Sequence, residues 1–330
     1  MAPLKWIFRT VLGALAVIGL LALIVGALLA YPLVQPPELK SVREGAVAVD
    51  QSGMPDTSRF QARDGTSLAY RLYPGAGGVT TKIAIIIHGS AGHSKSMNQI
   101  AKRVAATGFT VVSLDMRGHG ESGTRGDIAY IGQLDQDLED LAAELRRQYP
   151  KVRFSLLGFS AGGGFALRVA AGKLDADLDR VVLLSPYLGY DAPSSRSAGS
   201  SALWANPDIP RFIAFGILNR LGIRCCEALP AMAFAVAPGS EQYVTPQYSY
   251  RLLVNFAAPP DRAAAFRQLK MPATIIVGGA DELMFPDKYA DVVAGVRPLI
   301  EIKILPGLGH MDMLHMPAAM DAIAAEFAKN

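Results

Sequence analysis

The sequence predicts an α/β fold built on a mostly parallel sheet with helices on both faces. Three observations predict it. Short apolar runs recur along the chain, and amphipathic segments separate most of them. Runs such as "KIAIIIHG" (82–89) are apolar at consecutive rather than alternate positions, as a strand buried on both faces requires. Of the 330 residues 51% are apolar and 18% charged, which is enough to fill a large core.

The first segment stands apart from that fold. No charged residue occurs between Thr10 and Pro37. The stretch Val11–Tyr31 would reach about 31 Å as a helix, long enough to cross a bilayer. It is apolar on every side, unlike the helix of a soluble core. Lys5 and Arg9 precede it, so the positive-inside tendency places the rest of the chain on the extracytoplasmic side. A cleaved signal peptide is the competing reading. The run exceeds the roughly 7–15 residues of a cleavable core, which favours an uncleaved single-pass anchor.

Residues 1–37 are therefore read as the anchor and the start of a linker, and 38–59 as linker and lead-in, because the prolines stop the helix. The first part of the core spans 60–186. Its strands are "TSLAYRLYP", "KIAIIIHG", "FTVVSLD", "VRFSLLG" and "RVVLLSP". "SKSMNQIAKRVAAT", the strongly amphipathic "IGQLDQDLEDLAAELRRQY" and a segment opening near Ala161 are the intervening helices. After Pro186 about 85 residues pass before the next buried strand, too many for a structureless loop. Residues 187–270 are read as an inserted helical lid following "RVVLLSP", with "IPRFIAFGILNRLG" as one of its helices. "RFIAFGILNRLGI" is apolar enough to touch lipid, although packing within the lid is the simpler expectation. The core resumes over 271–330 with "PATIIVGG", a helix "DKYADVVAGV", the strand "LIEIKILPG" and a last helix from Met311.

The net charge of +3 and the absence of a basic, aromatic-studded stripe argue against nucleic acid as a partner. Cys225 and Cys226 are adjacent, below the usual Cα separation for a disulfide, and read as small apolar residues of a helix.

The chemistry converges on "GFSAGGG" (158–164). A strand leads into it and a helix follows. Gly158 and Gly162 flank Ser160, as a sharp strand-to-helix turn needs if it is to lift a serine clear of the sheet. A serine hydroxyl needs a base and an orienting acid. His310, in "LPGLGHMDML", lies just past the last strand, at the same carboxyl edge of the sheet as Ser160. Asp281, in "IIVGGADELMFP", follows the preceding strand at that edge. His315 falls inside the last helix and reads as a packing residue. Attack on a carbonyl also needs donors for the oxyanion. The Ala161 amide and the Ser90 amide of "HGSAGH" are placed to supply them. His88 and His93 lack a third ligand at a recognisable spacing, so neither a metal nor a cofactor is expected. "GHGESG" (118–123) fits a dinucleotide-binding spacing, but no helix opens after it. Asp115 and Arg117 are instead expected to pin this loop by an ion pair.

These stretches resemble the α/β-hydrolase superfamily, and within it the monoacylglycerol lipase, lysophospholipase and serine aminopeptidase-like group. "HGSAGH", "LDMRGHGESG", "GFSAGGG", "GGADELMFP" and "GLGHMDML" carry the resemblance over about residues 60–330. It implies Ser160 as nucleophile, His310 as base, Asp281 as its partner and Ser90 and Ala161 as oxyanion-hole residues. It also implies a lid after the sixth core strand, where residues 187–270 are inserted. Phe159 and Ala161 depart from the group's common G-H-S-M-G-G turn. The expectation is a serine hydrolase acting on carboxylic esters, with lipid-like acyl esters such as monoacylglycerol or lysophospholipid favoured. Amide hydrolysis and a non-catalytic, membrane-tethered binding module on the same fold are the alternatives.

Overall fold

The computed structural model describes residues 2–78, 81–172, 178–196, 204–240, 242, 244–296 and 300–329. Two helices come first, α1 (Ala2–Leu29) and α2 (Lys40–Ala48). The first half of the core follows as β1 (Thr57–Gln61), β2 (Ser67–Tyr73), β3 (Lys82–Ile87), α3 (Asn98–Ala105), β4 (Thr110–Leu114), α4 (Gln133–Gln148), β5 (Arg153–Phe159), α5 (Ala161–Ala170) and β6 (Leu178–Leu184). A cap comes next: β7 (Ala205–Pro207), α6 (Ile209–Arg220), β8 (Pro230–Phe234), β9 (Gln247–Ser249), α7 (Tyr250–Asn255) and α8 (Arg262–Gln268). The core closes with β10 (Ala273–Gly278), α9 (Tyr289–Val292), β11 (Ile300–Leu305) and α10 (Pro317–Ala328).

Eight strands form one sheet in the order β1-β2-β4-β3-β5-β6-β10-β11. The β1–β2 and β2–β4 pairs are antiparallel, and the remaining pairs are parallel. The continuous apolar runs are explained by two cores, one on each face. Ile83, Ile85 and Ile87 of β3 point into the core covered by α4, α5 and α8. Ala84 and Ile86 point into the opposite core, covered by α3 and α10. Leu134, Leu138, Leu141 and Leu145 form the buried stripe of α4, three and four residues apart as one helix face demands.

Several expectations change. The stretch expected as linker contains α2, which packs beside residues 311–314. The cap is not purely helical, because β7, β8 and β9 form a small antiparallel sheet within it. Its strands of three to five residues show no usable alternation. Most of the small-residue run 194–202 lies outside the described residues. Cys225 and Cys226 sit in an exposed turn after α6 rather than in a helix, and Cys226 has φ +73°. The final helix is broken: Met311–Leu314 form a 3₁₀ turn and α10 begins at Pro317, which suits the first helical turn. His315 falls in the break, 3.6 Å from Asp312.

Glu326 of α10 is fully buried against the edge of the sheet. Thr274 donates to it at 2.8 Å, and Lys303 and Lys329 pair with it. Burial pushes its carboxyl up, but the two lysines and Thr274 outweigh that and hold it below the ordinary glutamate value. A depressed folded-state pKa stabilises above the unfolded value, and the benefit disappears as pH falls through the folded one. Replacing Glu326 by Gln should therefore cost about 1–2 kcal/mol at neutral pH, moderated because both lysines are partly exposed. Urea titrations should show the gap between variant and wild type closing below about pH 4.

Candidate active site

The turn between β5 and α5 is the sharpest feature of the sheet's carboxyl edge. Ser160 has φ +53° and ψ −119°, a strained conformation for a residue with a side chain. The main chain around it fixes that geometry. The Ser160 N–H donates to the Leu184 carbonyl at 2.9 Å, and its own carbonyl accepts from Gly163, Gly164 and Tyr187. A Cβ on Gly158 would lie 2.2 Å from the Gly162 carbonyl oxygen, and one on Gly162 would lie 2.2 Å from the His88 carbonyl oxygen. Both contacts are with backbone, so neither position accepts a side chain without moving the turn.

His310 and Asp281 meet as the sequence order anticipates. The His310 Nδ1 lies 2.9 Å and 3.1 Å from the two Asp281 carboxylate oxygens. The Leu283 and Met284 amides each donate to that carboxylate at 2.9 Å. Burial pushes the Asp281 carboxyl up; the facing His310 and these hydrogen bonds more than offset it and hold it below the ordinary aspartate value. An ionised Asp281 fixes the proton on Nδ1 and leaves Nε2 free to accept one. The loop carrying His310 is also tied by carboxylates. The His310 N–H donates to Glu282 at 2.9 Å and the Gly309 N–H to Asp312 at 2.8 Å. Phe159, one of the departures from the common turn, packs its ring against the His310 imidazole with centroids 4.9 Å apart.

Ser160 and His310 line one cavity of about 370 Å³. Ser90, in the loop after β3, lines it too. Among the described residues, neither the Ser90 nor the Ala161 amide has a hydrogen-bond acceptor. Both N–H groups thus remain available beside Ser160. The Ser90 hydroxyl accepts from the Trp204 indole of the cap at 2.8 Å.

The next residue, Ala91, reveals a support that no sequence motif announces. It has φ +60°. Its N–H donates to the Tyr248 hydroxyl at 2.8 Å, and its carbonyl accepts from the Thr245 N–H at 3.0 Å. Tyr248 therefore donates its own proton to His119 Nε2, and His119 Nδ1 donates to the Arg117 carbonyl at 3.3 Å. Burial, reinforced by neighbouring His88, lowers the His119 pKa far enough to keep it neutral, and burial raises that of Tyr248. The cap and the "DMRGHGESG" loop together hold the loop after β3.

Other expected roles resolve differently. Arg117 does not pair with Asp115. It reaches Asp137 at 2.7 Å and Asp64 at 2.9 Å, while Asp115 accepts the Ser94 and Glu121 amides. The loop is pinned as expected, but by different partners, because Arg117 points across to α4 and the β1–β2 turn. His88 is fully buried, its Nδ1 2.8 Å from the Gly89 carbonyl and its Nε2 accepting from the Met116 amide. Both of its ring nitrogens are engaged by main chain. Burial lowers the pKa of His93, on the cavity wall, to about 4.

The chain belongs to the family described as serine aminopeptidase, S33, whose model matches residues 79–315, and so to the α/β hydrolases. A monoacylglycerol lipase of Mycolicibacterium smegmatis is 27% identical over 241 residues, which cover 69% of this chain and 80% of the relative. A soluble variant of a monoglyceride lipase from Saccharomyces cerevisiae superposes with a TM-score of 0.61 at 16% identity, over 84% of this chain and 95% of the other. A membrane phospholipase A superposes with a TM-score of 0.55 at 17% identity, over 99% of both chains. The protein is a lipase-like α/β hydrolase.

The fit around the turn predicts the effect of a single added carbon. Gly158→Ala should lower stability by about 2–4 kcal/mol, read as a lower urea midpoint with an unchanged slope.

Proposed function

We propose that this protein is a membrane-anchored serine hydrolase that cleaves carboxylic esters bearing an acyl chain, such as a monoacylglycerol or lysophospholipid. One observation carries the reading: the strained Ser160 and the Asp281-paired His310 face the same largely apolar cavity. Ser160 Oγ attacks the ester carbonyl as His310 Nε2 takes its proton, while Asp281 stabilises the imidazolium. The Ser90 and Ala161 amides receive the developing oxyanion. His310 then returns the proton to the leaving alcohol, an acyl-enzyme remains on Ser160, and water activated by the same histidine releases the acid.

Val42, Ala46 and Val47 of α2, Val236 and Ala237 of the cap, and Leu283 and Leu314 give the cavity an apolar wall suited to an acyl chain. Its charged lining residue is Arg43, and no acidic residue lines it among the described residues. An aminopeptidase substrate would bring a free ammonium group with no carboxylate to meet it, which favours the ester over the amide. The anchor is α1, whose Lys5–Leu29 segment contains an 18-residue window with a mean hydropathy of 2.8 that is almost wholly exposed. With Lys5 and Arg9 at its start, the hydrolase domain lies on the extracytoplasmic side.

The test is hydrolysis of a p-nitrophenyl ester series of increasing chain length, beside an aminoacyl amide. Ser160→Ala should reduce ester turnover by at least about a thousandfold while the protein remains folded. Equal background from both proteins on every compound would leave the binding-module reading standing. The Ala91 support adds a further expectation. Tyr248→Phe keeps the ring but loses the donor to His119 and the acceptor for Ala91. It should reduce kcat by about tenfold through a loosened Ser90 amide and leave KM within about twofold. A matched loss of thermal stability with unchanged kcat would assign Tyr248 to folding alone.

A further inference from the structure

The last turns of α1 do not hang free of the domain; they pack on α6 of the cap. Val25, Leu28 and Leu29 form a small apolar cluster with Ala214, Ile217 and Leu218. Arg211 closes the end of it. Its guanidinium donates to the Leu29 carbonyl at 3.0 Å and the Tyr31 carbonyl at 2.8 Å, groups left unpaired where α1 ends, and it pairs with Asp208 at 3.2 Å. Arg211 thus meets the end of α1, while residues three and seven positions later cluster with Val25, one turn earlier. Helix α6 therefore runs back along α1, toward the segment that would lie in lipid.

Another face of α6 has no partner among the described residues. Ile209, Ile213, Gly216 and Arg220 fall on one stripe at helical spacing and are exposed. The turn beyond the helix is exposed throughout, from Asn219 to Cys226. Four large aliphatic side chains are open here: Ile209 at 56%, Ile213 at 51%, Leu221 at 63% and Ile223 at 44% exposure. Helix α1, which packs on α6 through the Val25 cluster, carries exposed leucines and isoleucines of its own, so both helices have large apolar side chains open to their surroundings. Arg220 and Arg224 stand at this end without an acidic partner among the described residues. Val25 lies four residues before Leu29, which puts the α1–α6 contact about 6 Å back along the helix from its end. That depth matches the boundary between headgroups and acyl chains, where an interfacial helix buries its apolar face.

We propose that this face of α6 and the turn after it dock on the same bilayer that α1 spans, with Ile213, Leu221 and Ile223 inserted at the acyl boundary and the long side chains of Arg220 and Arg224 reaching back to the headgroups. The inference rests on the reading of α1 as a membrane anchor and adds that the cap is itself a lipid-contacting element. Arg211 fixes the rotation of the domain about the anchor, so that this face and not another meets the lipid. Helix α2, which follows directly, lines the cavity, so the orientation also sets that wall of the site close to the membrane.

The experiment uses the full chain reconstituted into phosphatidylcholine vesicles, with and without phosphatidylglycerol. In a Cys225→Ser, Cys226→Ser background, an environment-sensitive fluorophore is attached at Ile213→Cys and, separately, at Leu21→Cys within α1. Quenching by a lipid-borne nitroxide is compared with quenching by an aqueous ion. Both probes should lose at least about half of their emission to the lipid nitroxide, and phosphatidylglycerol should deepen the effect at position 213. A lipid-quenched probe at 21 beside an aqueous-quenched probe at 213 would overturn the docking and leave the anchor intact. Aqueous quenching at both positions would overturn the anchor and the docking together. As a check independent of labelling, the double variant Ile213→Glu, Ile223→Glu should lose at least about fivefold in turnover of a long-chain ester held in vesicles and keep its turnover of a soluble short ester. An unchanged ratio of the two rates would count against the proposal.

Discussion

The backbone of one residue constrains the rest of this site. Ser160 takes a positive φ between a buried strand and a helix, and that conformation persists because four main-chain hydrogen bonds leave it no alternative. The neighbours follow from it. Gly158 and Gly162 are bare because carbonyl oxygens occupy the space a side chain would need. Strand β3 must end close by, so its following loop brings the Ser90 amide to the same place. Helix α5 must begin at once, so the Ala161 amide is left without an intrahelical acceptor.

Charge is arranged around this turn with similar economy. Asp281 stays ionised although it is buried, because His310 and two amides face it. His88 and His119 lie equally deep but meet carbonyls, an amide and a hydroxyl instead of a carboxylate, and remain neutral. Environment alone separates these histidines: a buried carboxylate faces His310 Nδ1, whereas main-chain groups and a hydroxyl engage the rings of His88 and His119.

The core was legible because parallel strands covered on both faces must be apolar along their whole length, and few other structures leave that trace. The meeting of His310 with Asp281 was legible from strand order, since residues that follow successive strands emerge at one edge. What escaped detection did so for physical reasons. Strand β1, "TSRFQ", is a polar edge strand with one buried residue. Helix α2 is short, and prolines precede it. The strands of the cap hold three to five residues. Tyr248 and Thr245 lie far along the chain from Ala91, and only the folded cap brings them to it. Glu282 carried one local signal, its place directly after Asp281, but its bond to His310 depends on a turn that the sequence does not specify. The pairing of Asp115 with Arg117 failed because proximity along a loop does not fix the direction in which a long side chain leaves it.

The grip of Tyr248 and Thr245 on Ala91 has a consequence for how such proteins diversify. A cap attached only at its hinges can be exchanged between relatives as a cassette that changes the substrate and spares the chemistry. Here the cap holds the loop that carries Ser90 in shape, so a foreign cap would arrive without the two contacts that fix Ala91. Variation in the cap is then confined to surfaces facing away from that loop, while β9 and the residues just before it must be inherited together with the core.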